Sequence, residues 1–116
     1  MGLDMYGFAK TTANAEARED LAYWRKHANL HGWMQRLHVA KGGNPDPDTF
    51  NCVDLELTAA DLDLLQLETL SHDLPKTQGL FFGSSTPEDD ADTFAFIVKA
   101  REALARGLQV FYSSWW

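Results

Sequence analysis

The chain has one cysteine, Cys52, in 116 residues. A single thiol closes no intrachain disulfide and builds no thiolate metal cluster, so a core must hold the fold and a reducing cytoplasm is the expected setting. Basic residues are also scarce, with ten Lys and Arg against seventeen Asp and Glu, a formal charge of -7 and a pI near 4.8. A protein that neutralises nucleic-acid phosphates needs the opposite balance, so no direct nucleic-acid contact is expected. No stretch approaches the roughly 18 apolar residues of a membrane span. The opening MGLDMYGFAK carries Asp4 and lacks the apolar run of a signal peptide. Tyr6 stands where N-terminal lipidation would need Ser or Thr. Neither export nor membrane attachment is expected.

What remains is ordinary globular composition, 45% hydrophobic and 23% charged, enough for a single domain over residues 1–116 with one core. LDMYGFA, residues 3–9, alternates Leu3, Met5, Gly7 and Ala9 against Asp4, Tyr6 and Phe8, predicting a strand with one dry face and one aromatic face. TTANAEARED reads as a loop feeding a helix from about Glu19. From Leu21 to Val39 the period is helical. Stepping 100° per residue sets His27, Leu30, Met34 and Leu37 within about 40° of Tyr23, with Arg25, Asn29, Gly32 and Arg36 opposite. Gly32 costs about 1 kcal/mol relative to alanine in mid-helix, so it either allows a close backbone approach or is tolerated.

KGGNPDPD, residues 41–48, ends that helix in an exposed loop. FNCVDLEL, residues 50–57, predicts a strand with Val53, Leu55 and Leu57 inward and Phe50, Cys52, Asp54 and Glu56 toward water. Thr58 with Asp61 opens a second helix whose apolar side is Leu62, Leu65, Leu67 and Leu70, ending before Pro75. GLFFG, residues 79–83, predicts a short strand inside a sheet. Thr86, Pro87 and the acids at 88–90 open a third helix that runs to Arg106 and stops at Gly107, and LQVFYSS, residues 108–114, is a closing strand. The order β, α, β, α, β, α, β predicts an α+β (mixed α/β) domain: a small sheet of about four strands with three helices mainly on one side.

Few residues form a recognisable catalytic pattern. His27 and His31 are spaced i, i+4 like a zinc pair, with His38 or His72 as a third ligand. The glutamate of HExxH is missing, so histidines bonded to loop carbonyls are expected and no metal. Ser84, Ser85, Ser113, Ser114 and Cys52 sit in no nucleophile context, so catalysis and a cofactor are not expected. In YWRK, Tyr23 falls on the core stripe and Trp24 lies off it beside His31, placed to edge a cleft. Arg25, Lys26 and Arg36 offer an anion a local cationic spot, or else pair with the abundant acids. GLFFGSSTPEDD, residues 79–90, has the strand, turn and helix start of an anion loop, but it lacks a P-loop lysine and already supplies its own acids.

Four motifs in order, GLDMY, YWRK with H-x-W at 31–33, LP-x-T-x-G-x-F-F-G-S at 74–84, and YSSW at 112–115, resemble a family of small proteins encoded by bacteriophages and prophages. The resemblance spans nearly the whole chain. It implies a phage origin, action in the cytoplasm of a bacterial host and a shared fold, and it carries over no catalytic residue. Leu80 and His27 depart from the aromatic and the small residue usual in that family. The resemblance also implies that Trp24, Arg25, His31, Thr77, Phe81, Ser84, Ser113 and Trp115 converge on one cleft, with Lys26 and Trp33 beside it.

Two functions are then expected, in order. The first is a noncatalytic counter-defence protein that holds a small anionic, nucleotide-like ligand, with Trp24 and Trp33 stacking on a base and Arg25 or Lys26 meeting phosphate. The alternative is an acidic, anti-CRISPR-like inhibitor that blocks a host nuclease or other nucleic-acid-binding defence protein, using Asp46, Asp48, Asp54 and Glu56. An exposed Trp115–Trp116 pair would argue for a homo-oligomer.

Overall fold

A computed structural model of the chain describes residues 2–12, 15–75, 77 and 87–116. Four strands form one antiparallel sheet among these residues: β1 (Asp4–Lys10), β2 (Glu19–Arg25), β3 (Leu55–Leu57) and β4 (Gln109–Trp115), in the order β2-β1-β4-β3. Three α-helices, α1 (Ala28–Ala40), α2 (Ala59–Leu70) and α3 (Pro87–Ala105), cover one side of the sheet. The α+β architecture expected from the sequence is present. The predicted strand at 79–83 and the predicted cap Thr86 lie outside the described residues.

One expectation fails instructively. The predicted helix from Glu19 begins instead as strand β2, and YWRKHANLHGW divides after Arg25. Gly7 on β1 pairs with Ala22, and Phe8 with Asp20, so Leu21 is an extra residue on β2, a β-bulge. Leu21 and Trp24 are therefore both buried although three positions apart, and that spacing imitates a helical stripe. Lys26, at φ +60°, turns the chain away from the sheet, its N–H bonded to the Leu3 carbonyl at 2.9 Å. His27 then precedes the helix proper.

Helix α1 sends Leu30, Trp33 and Met34 into the core, α2 sends Leu62 and Leu65, and α3 sends Phe96, Ile97, Ala100 and Ala103. They meet Leu3, Met5 and Ala9 of the first segment, Trp24, Val110, Tyr112, Leu55 and Leu57. Close approach explains two glycines. A Cβ on Gly7 would strike the Phe96 ring, and one on Gly32 would strike the Thr77 side chain. Thr77 is fixed there by its N–H bond to Asn29 Oδ1 at 3.1 Å.

The start of α2 follows its sequence signal. Thr58 accepts from the Asp61 N–H, and Asp61 accepts from the Thr58 N–H. Along the same helix Leu67 and Leu70 are exposed, contrary to the expected apolar side. The expected strand over 50–57 shortens to Leu55–Leu57, because residues 47–50 form a 3-10 turn and Cys52 takes φ +61°. Alternation breaks at that turn, and Phe50 is buried instead of facing water.

Candidate functional site

Strand alternation sorts the candidate residues onto two sides of the sheet. On the helix side, Met5 pairs with Trp24 and with Ser114, and Gly7 with Ala22 and Tyr112. On the other side, rows run across three strands. Arg25, Asp4 and Trp115 form one, and Tyr23, Tyr6 and Ser113 the next. Phe8 and Phe111 follow, with Glu56 beyond Phe111 on β3. Among the described residues, Phe8 and Phe111 of this open face stand apart from the main apolar cluster that the helices join.

The open face is graded along the strands. Phe8 and Phe111 stack at 5.7 Å and are buried beneath cationic side chains. Arg18 lies 4.5 Å from the Phe8 ring and Lys10 5.9 Å from that of Phe111. Both cations are matched by acids, Arg18 by Asp20 at 3.1 Å and Lys10 by Asp54 at 3.8 Å. Toward the other end the cover thins, with Arg18 still 5.5 Å from the Tyr6 ring. Tyr23 is 51% exposed and Trp115 60% exposed, and Tyr6 packs on Tyr23 at 5.5 Å. Tyr23 donates to Asp4 Oδ1 at 2.6 Å, and that hydrogen bond to a carboxylate, more than the slight burial, holds the phenol above its ordinary pKa. Arg25 is exposed, with no acid paired to it among the described residues.

The helix side is dry. Trp24 packs edge-on against Phe96 at 5.1 Å and is 2% exposed. His31 shares a 2.7 Å hydrogen bond with the buried Tyr112 hydroxyl and rests among the Phe50, Tyr112 and Trp116 rings. Burial pushes the His31 imidazole down to about 4 and the Tyr112 phenol up, so both are neutral near pH 7. His27 is buried 3.8 Å from Asp89, and its pKa is lowered by burial against the opposing pull of Asp89, Asp90 and Asp92. Trp33 donates to Glu68 Oε2 at 2.5 Å. It lines a groove of about 230 Å³ between α1 and α2 with Arg36, Leu37, Ala40, Leu64, Glu68 and Pro75.

The expected single cleft is therefore divided. Arg25, Ser113 and Trp115 share the open face, whereas Trp24, His31 and Trp33 are buried on the helix side, where Thr77 lies against α1. Lys26 stands exposed at the turn between them, and Phe81 and Ser84 lie outside the described residues. Tyr23 and Trp24 exchange the roles the helical period gave them, because one residue of strand reverses the face. Sequence reasoning passed over Asp4, Tyr6 and Tyr23 as site residues, although the alternation of LDMYGFA already set Asp4, Tyr6 and Phe8 on one aromatic face.

The acids expected to form an inhibitory cluster also separate. Asp46 caps the 3-10 turn by accepting from the Asp48 N–H, while Asp54 meets Lys10 and Glu56 sits at the edge of the open face. Among the described residues no three His, Cys, Asp or Glu side chains gather as a metal-binding group, and no helix is long and apolar enough to cross a membrane. At the terminal corner, Gly2, Asp4, Trp115 and Trp116 enclose a cavity of about 80 Å³. Trp116 is clamped there: Asn51 donates to its carbonyl at 3.1 Å and accepts its N–H at 3.2 Å. No protein-family model, curated protein or solved structure matches this chain.

Proposed function

We propose that this chain is a noncatalytic binding protein of the phage counter-defence kind, which uses the open face of its sheet to cover a basic surface on a host defence protein. The observation that carries this reading is the exposure of Arg25, Tyr23 and Trp115 on the two neighbouring rows Arg25–Asp4–Trp115 and Tyr23–Tyr6–Ser113. Trp, Tyr and Arg are the residues that concentrate binding energy at protein interfaces, and here they stand on a rigid four-stranded platform. A net charge of -7 favours encounter with a basic partner over a polyanion.

Affinity capture from host lysate tests the reading with variants that leave the core alone. The native protein and a Val98→Glu control, altered on an exposed position of α3, retain the same partner. Tyr23→Glu and Trp115→Glu lose it, and added salt weakens the native complex. Retention by both open-face variants would overturn the assignment of this face.

A second reading has its own observation. Arg25, without an acid partner among the described residues, stands beside Tyr23 as a phosphate-binding group beside a stacking ring would. A small anionic, nucleotide-like ligand would then lie on the open face. The cavities described above, at about 80 and 230 Å³, are below the roughly 300 Å³ at which small-molecule sites begin, which favours binding on the open face over binding in either of them. Calorimetry against linear and cyclic nucleotides decides: heat saturating with one of them and lost in Arg25→Ala supports this reading, and flat titrations remove it.

A further inference from the structure

We infer that the corner cavity formed by Gly2, Asp4, Trp115 and Trp116 is a receptor for an alkylammonium head group, the end of a lysine side chain on the protein partner. This rests on the proposed protein-binding role of the open face and names the chemistry of one anchor within it. Two of the lining residues, Asp4 and the exposed Trp115, are register partners on the open face, and a carboxylate beside an indole attracts a positive charge carrying apolar methylenes. Among the described residues no cation lines the cavity. Arg25 lies on the opposite side of Asp4, in the same row on β2 and not within ion-pairing distance.

Size narrows the ligand further. At about 80 Å³ the space suits one compact head group better than a nucleobase, since small-molecule sites begin at roughly 300 Å³. The walls are held in place before any ligand arrives. Asn51 brackets the Trp116 backbone, the Trp116 ring meets His31 edge-on at 4.9 Å, and the Tyr23 hydroxyl fixes one Asp4 oxygen. Asp4 and Trp115 are register partners on the outermost row, so the cavity opens beside the exposed indole on the side the partner would cover. The alkyl stem of a lysine would lie along Trp115 and its ammonium would point at Asp4.

The test uses the whole chain and no partner protein. n-Butylammonium chloride is titrated against labelled protein while the indole N–H resonances are followed, with 1-pentanol as a neutral compound of similar shape. Trp115 and Trp116 should shift saturably with the cation and at least about fivefold more weakly with the alcohol, with Trp24 and Trp33 unmoved. Asp4→Asn, which still accepts the Tyr23 hydroxyl, should weaken the cation about fivefold, and Trp115→Leu should do the same while Trp115→Phe largely restores it. Equal shifts from alcohol and cation, no saturable shift, or indifference to Asp4→Asn would overturn the inference. Lysate capture separates the two levels. Loss of the partner in Tyr23→Glu with full retention in Asp4→Asn would leave the face in use and remove the lysine receptor.

Discussion

Tyr23 and Trp24 are adjacent in sequence and live in different media. Trp24 is closed in by Met5, Phe96 and the helices, while Tyr23 stands half in water with its hydroxyl on Asp4. The same division runs along β4, where Tyr112 and Ser114 are buried and Trp115 is exposed. One side of the sheet is committed to the core, and the other, beyond its buried Phe8–Phe111 pair, carries the exposed Tyr23, Arg25 and Trp115, which the core does not use. Substitutions should therefore separate cleanly into those that unfold the protein and those that leave it folded without a partner.

The largest effect should come from the buried side. Trp24→Ala leaves a cavity beneath α3 and should cost about 3–5 kcal/mol in urea unfolding, against less than about 1 kcal/mol for Tyr23→Ala. Comparable losses at the two positions would break the division. Acid should reveal it next. Because burial lowers His31 from 6.5 to about 4, the unfolded chain binds more protons between those values, and stability falls as pH drops through that window. The loss is about 3 kcal/mol at most, read from urea midpoints between pH 7 and pH 4, and His31→Gln should flatten the curve.

Smaller effects sharpen the picture. Gly32→Ala would raise helix propensity in isolation, yet the new methyl meets Thr77, so a loss of about 1–3 kcal/mol is expected in thermal unfolding. Thr58→Ala removes the reciprocal cap of α2 and should cost about 1 kcal/mol. Least of all, Trp115→Glu should move the unfolding midpoint by no more than about 0.5 kcal/mol while abolishing capture of the partner.

How legible this was in the sequence varies by element. The cap of α2, the acid-rich opening of α3 and the alternation of β1 were readable because each depends on neighbours within a few residues. The chemistry of β2 was not. Its bulge exists only because β1 pairs with it, and the extra Leu21 gave a strand the apolar spacing of a helix turn. That single misreading moved Tyr23 inward and Trp24 outward, and so joined Trp24 and Arg25, which the strand sets on opposite faces. The partnership of His31 with Tyr112 spans 81 positions and leaves no local trace. Exposure of Leu67 and Leu70 is likewise set by where α2 sits and not by its period.

The sheet order places β1 and β4 side by side at its centre, with β2 and β3 as the edges. Residues 109–115 thus supply a middle strand that almost everything else is waiting for. The β1–β2 hairpin pairs strands close in sequence, whereas β4 must reach back across about a hundred residues to β1 before the sheet can close. Without β4, strand β3 and the β1–β2 hairpin would have no common neighbour, so the continuity of the whole layer hangs on this one segment.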